Sequence, residues 1–195
     1  MSVALKDQDV LLAQFIAAFG KFNELSEYVD IYPVVAELAV GEADENNQTH
    51  WRPARVDTNA QSLNALYAKL PSRFPPLYER LVLTYRWAEV DLGKYTLLAN
   101  PPGIDLLRPL KEISKAPALW ESLVPAGYMQ FAKGPDYDYD PVCFDLHKRK
   151  KNGDYRIVKI DHEEILCNYR VKVVKELAPS FEDLVRQTVS VAEKP

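Results

Sequence analysis

Two cysteines, seven glycines and three histidines are all that 195 residues contain of these types. Cys143 and Cys167 lie among apolar neighbours and lack the paired spacing of a zinc site, which excludes a disulfide-dense secreted scaffold or a zinc framework. They read as reduced core residues. The sparse glycines form no phosphate-cradling loop, and no G-x-S-x-G elbow for a nucleophilic serine is present. No apolar run approaches the roughly 20 residues of a membrane-spanning helix. Lys6, Asp7 and Asp9 stand where a secretory signal needs an apolar centre. Positive charge is not in excess: a net charge of −4 and a pI near 5.5 disfavour general nucleic-acid binding, which requires clustered Lys and Arg. These absences point to a cytoplasmic protein with no cofactor, no metal, and neither nucleic acid nor membrane as partner.

What is present fits a globular chain. A composition of 47% hydrophobic and 27% charged residues argues against wholesale disorder, and the length suffices for a proper core. Over residues 7–22, Leu11, Phe15, Ala18 and Phe22 recur on one helical face. Residues 28–40 carry Pro33 and predict a broken or late-starting helix. The acidic, Asn-rich stretch 41–61 has no periodicity and predicts a long surface loop, with Trp51 and Arg52 available to pin it. A boundary is therefore expected there: an N-terminal helical extension and loop over 1–61, and an α+β domain over 62–195.

Further on, helices are expected over 62–69, from Pro76 to near Trp87, over 105–114 and over 118–123. Strands are expected over 94–99, 128–131, 142–146 and 155–160, the last two joined through a basic turn that ends in Asn152-Gly153. Residues 164–174 have mixed, strand-leaning character. Ser180, with Asp183 three residues on, predicts the capping box of a final amphipathic helix. Helices come first and the sheet follows, so the fold class is α+β with a mixed, mainly antiparallel sheet flanked by helices.

Several segments together resemble the SUKH superfamily (Smi/Knr-like). They are Leu70-Pro71, Tyr78-Glu79-Arg80-Leu81, Leu123-Val-Pro-Ala-Gly-Tyr-Met-Gln-Phe131, Tyr139-Asp-Pro-Val-Cys-Phe-Asp145, Asp161-His162-Glu163 and Leu177-Ala-Pro-Ser-Phe181. The likeness covers roughly residues 63–189. It departs at Tyr85-Arg-Trp-Ala88, where the family's helix often runs into an Asn-Gly-Gly turn. The resemblance implies an α+β sheet domain without an established catalytic constellation. Most bacterial relatives are immunity proteins that bind and neutralise a cognate secreted or contact-delivered toxin. Other members are regulators or scaffolds that dock signalling or cell-wall-related partners, so fold alone does not decide function.

The candidate partner-binding residues are Asp136, Tyr137, Asp138, Tyr139 and Asp140. Tyrosines supply rigid contact area and carboxylates select a basic partner, such as a nuclease-like toxin. Two other readings stay open for this loop: aspartates that cap turns, and a calcium site, although the glycine turn and twelfth-position glutamate of a calcium hand are missing. Asp161-His162-Glu163 suggests acid–base chemistry only if a third group converges, because neighbours on a strand face opposite ways. His50 and His147 read as exposed singletons. Lys148-Arg-Lys-Lys151 reads as a solvated turn, and Ser180 as a cap. No catalytic residue is assigned, and a non-enzymatic binding protein is the expectation.

Overall fold

The computed structural model describes residues 3–22, 37–42, 45, 50–102, 107 and 117–194. Helix α1 (Val3–Phe22) is followed by the short strands β1 (Ala39–Val40), β2 (His50–Trp51) and β3 (Ala54–Arg55). A 3-10 turn, Ala60–Leu63, runs into α2 (Asn64–Tyr67), and α3 (Pro76–Thr84) leads to β4 (Tyr85–Arg86), β5 (Val90–Asp91) and β6 (Thr96–Leu97). Then come α4 (Pro117–Leu123), β7 (Tyr128–Lys133), β8 (Pro141–Arg149), β9 (Tyr155–Ile160), α5 (His162–Asn168), β10 (Val173–Ala178) and α6 (Phe181–Ala192). Strands β5 to β10 form one sheet in the order β10-β9-β8-β7-β6-β5, antiparallel at every pairing. The fold is α+β with a helical N-terminus, as expected from the sequence. Most of the segment 28–40 and, apart from Leu107, the helix expected over 105–114 lie outside the described residues.

Side-chain alternation along the central strands separates two cores. Met129, Phe131, Phe144 and Ile157 enter the larger one, where they meet Leu12, Phe15 and Phe19 of α1, Tyr78 and Leu81 of α3, and Phe181 and Leu184 of α6. Phe131 and Phe144 stack with centroids 4.3 Å apart, and Tyr78 and Phe181 set their edges against both. On the other face Cys143, Val158 and Ile160 pack with Leu123 of α4 and Ile165 of α5. Helices thus cover both faces of the sheet. Residues on either side of position 61 share the larger core, and Trp51 packs against it as the loop reading anticipated.

Two local expectations give way. Helix α3 starts with Pro76 at its first position, where the missing N–H costs nothing. It stops at Thr84, short of Trp87. The buried Arg86 guanidinium donates to the carbonyls of Val82 and Tyr85 at 2.7 and 2.8 Å, and the Asn100 amide donates to the same pair. These groups satisfy the helix end, while Trp87 bridges to Asn100 as extended backbone. After β9 the chain forms helix α5, where strand character was expected. Asp161 accepts the Glu164 N–H at 3.1 Å as N-cap, Glu163 and Glu164 occupy the first turn, and Tyr169 ends the helix at φ 52°.

Candidate partner-binding surface

The five candidate residues lie in the 134–140 connection between β7 and β8. Its neck is closed by the Gly134 N–H donating to Asp140 O at 2.9 Å, and a turn inside it by the Asp138 N–H donating to Pro135 O at 3.0 Å. Gly134 leaves room for the Asp138 carboxyl: a Cβ there would sit 2.1 Å from the carboxyl carbon and push that side chain aside. Asp136 adopts φ 52°, a left-handed conformation that Asp and Asn tolerate better than most residues. Its N–H donates to Asp91 at the end of β5 at 3.2 Å, so the neighbouring hairpin also holds the loop.

The aspartates divide into two roles. Lys159 Nζ donates to Asp138 Oδ2 at 2.7 Å and lies 3.3 Å from Asp140 Oδ2. Asp140 Oδ1 accepts the His162 backbone N–H at 3.0 Å and lies 2.7 Å from the His162 ring Nδ1. Burial opposes ionisation of Asp140, but the His162 backbone and ring and the Lys159 ammonium outweigh it and hold the carboxyl below its usual range. The hydrogen bond to Asp138 chiefly raises the Lys159 pKa. Asp138 and Asp140 therefore brace the loop from within. Asp136, Tyr137 and Tyr139 project outward, with Tyr137 89% and Tyr139 59% exposed. The Tyr139 ring also meets the His162 ring edge-on at 6.2 Å.

This arrangement bears on each reading of the loop. A lysine ammonium sits between the two carboxylates that a calcium ion would need. Among the described residues no group of three His, Cys, Asp or Glu side chains is placed to hold a metal. His162 opens α5 and turns its ring toward Asp140. Glu163 and Glu164 lie in the first turn of that helix.

Sequence reasoning missed Lys159 and His162 as partners of the loop. The signal was the register: Val142 pairs with Lys159, which carries Asp140 to the segment where α5 begins. It also missed a second histidine–carboxylate pair. Asp145, 1% exposed, accepts the His147 N–H at 3.0 Å, lies 2.9 Å from His147 Nδ1, and takes Nε of Arg156 at 3.0 Å along with its Nη2. Burial opposes ionisation of Asp145, but Arg156 and His147 prevail and keep its carboxyl low. His147 is thus exposed but not a singleton.

The remaining sites are structural. Ser180 caps α6, accepting the Asp183 N–H at 3.1 Å. Both cysteines are free thiols, but only Cys143 is buried, where desolvation pushes its thiol up; Cys167 is exposed on α5, contrary to the core reading. Lys148 and Arg149 end β8, and the reversal proper is Lys150 to Asp154, with Gly153 at φ 85°. No helix among the described residues is long and apolar enough to cross a membrane. No protein-family model matches the chain, and no curated protein matches it in sequence.

Proposed function

We propose that this chain is a non-enzymatic binding protein of the SUKH type, an immunity protein that neutralises a cognate toxin by covering it directly. One observation carries this reading: the 134–140 loop is braced from inside by Lys159, His162 and Asp91, and so presents Asp136, Tyr137 and Tyr139 as a preformed acidic-aromatic rim. Rigid tyrosines add contact area at low entropic cost, and a pre-ordered loop loses less freedom on binding. A basic, nuclease-like toxin complements the exposed carboxylate. The rival role, a scaffold docked through the N-terminal segment, has less support, because α1 buries Leu11, Leu12, Phe15 and Phe19 in the chain's own core.

The test is protection. The full chain is co-expressed with each product of its flanking genes. One product should be lethal alone, harmless beside this chain, and recovered with it in a 1:1 complex. Tyr137→Ala should weaken that complex at least about tenfold, the loss of about 1.4 kcal/mol. If no flanking product is lethal and none binds, the immunity role is lost.

A further inference from the structure

Arg73, Arg80 and Arg149 line one cleft of about 600 Å³, at the end of β8 remote from the acidic loop. They come from three places in the chain: the approach to α3, α3 itself, and the last residue of β8. Phe74 and Leu83 supply apolar lining, and Gly153 brings the basic turn against Pro76, at ordinary contact distance even for an added Cβ. We propose that this cleft binds a phosphorylated small molecule of nucleotide size through the three guanidinium groups. The site lies beyond the toxin-binding reading and does not depend on it.

Two of the three guanidiniums are held in place before any ligand arrives. Glu79 takes Nη2 and Nε of Arg73 at 2.9 and 3.3 Å, and the Arg73 guanidinium lies 4.9 Å from the Tyr67 ring centroid. Asp9 Oδ1 takes Nη2 and Nε of Arg80 at 2.6 and 2.7 Å. Arg149 lies 6.0 Å from the Tyr155 ring and forms no ion pair with a carboxylate among the described residues. Three guanidiniums thus face two carboxylates. Each guanidinium has five N–H donors, so each keeps donors to spare after these contacts. Planar forks with spare donors suit the paired oxygens of phosphate.

Size and charge narrow the ligand. The cleft has the volume of small-molecule sites but is open to solvent and has Glu79 on its wall, so the arginines rather than enclosure would hold the ligand. A nucleic-acid strand needs a basic track along the surface, whereas this chain is acidic overall and its arginines surround one concavity.

Isothermal titration of the full chain with ADP and with inorganic pyrophosphate tests the proposal. Saturable one-site binding with a Kd below about 1 mM is expected for both. Arg149→Gln, and independently Arg73→Gln at a side chain 66% exposed, should each weaken binding about tenfold or more. Lys151→Gln removes the same charge from the neighbouring turn, outside the cleft lining, and should change binding less than about twofold. Absence of saturable binding by either probe overturns the proposal, as does equal weakening by Lys151→Gln. Tighter binding of a single-stranded oligonucleotide through Arg149 would overturn it in favour of nucleic acid. Because none of these variants touches the 134–140 loop, failure here is distinguishable from failure of the toxin-binding role.

Discussion

Asp136, Asp138 and Asp140 alternate along seven residues of loop, yet they are not equivalent, and substitutions should separate them. Asp136→Asn keeps a side chain that tolerates φ 52° and removes only an exposed charge, so thermal stability should be unchanged while binding to a basic partner slows. Asp138→Asn and Asp140→Asn loosen the loop instead, because Lys159 and His162 lose their acceptor charge. Gly134→Ala should act the same way by driving the Asp138 carboxyl off its site, a change visible in the Lys159 side-chain resonances. The depressed carboxyls set a pH dependence. Since Asp140 and Asp145 titrate below their unfolded values, their contribution is complete above about pH 4 and is lost as pH falls through the lower folded values. Urea midpoints measured down the acid range should therefore fall less steeply for Asp145→Asn than for the parent. At neutral pH that variant should be about 2 kcal/mol less stable, the scale of hydrogen bonds to a charged group. Lys159 works at the other extreme: raised in the folded state, its contribution persists through neutrality and is lost only above its unfolded value of about 10.4.

At the scale of elements, α1 is part of the body. Its apolar stripe meets α6 and the aromatic cluster of the sheet, so Phe15→Ala should cost about 3–5 kcal/mol in a chemical unfolding experiment. Removing residues 1–22 should abolish the cooperative transition altogether. A truncation of this kind therefore tests folding before it tests docking. Helix α6 is tied to the β8–β9 turn as well as to the core. Asp154, 3% exposed, accepts the Phe181 and Glu182 N–H groups at 3.0 and 3.2 Å while Ser180 caps the same end. Asp154→Ala leaves these buried donors unpaired and should destabilise the protein by about 1–3 kcal/mol, read from the shift in urea midpoint at constant slope.

Over the whole molecule, charge is sorted along β8. The acidic rim precedes Pro141 and the arginine cleft includes Arg149, nine strand residues away. A bulge between Asp145 and Arg149 shortens the span: Val142 faces Lys159 and Arg149 faces Tyr155, four steps of β9 or roughly 13 Å at about 3.3 Å each. That exceeds the screening length of about 8 Å at physiological salt, so exposed charges at the two ends are largely screened from one another. If the proposed basic partner binds at the acidic rim, its association should slow as salt is raised and respond to Asp136→Asn, with little change on Arg149→Gln. Stopped-flow mixing of the complex identified by protection would resolve these dependences.

Elements whose causes are local were legible in the chain alone. The period of Leu11, Phe15 and Phe22 specifies α1, the Pro75-Pro76 pair specifies where α3 begins, Asn152-Gly153 places the reversal after β8, and Ser180 with Asp183 starts α6. The sequence also made the acidic-aromatic loop legible as a surface. Tertiary structure decided what depends on groups far apart in the chain. Asn100 and the buried Arg86 together close the end of α3, and α1 joins the common core. Lys159 and His162 convert two of the loop's three aspartates from surface charge into internal braces. Arg73, Arg80 and Arg149 belong to unrelated local patterns, and only folding brings them to one cleft. Backbone preference and periodicity act over a few residues, whereas the environment of a charge depends on whichever strands and helices the register places beside it.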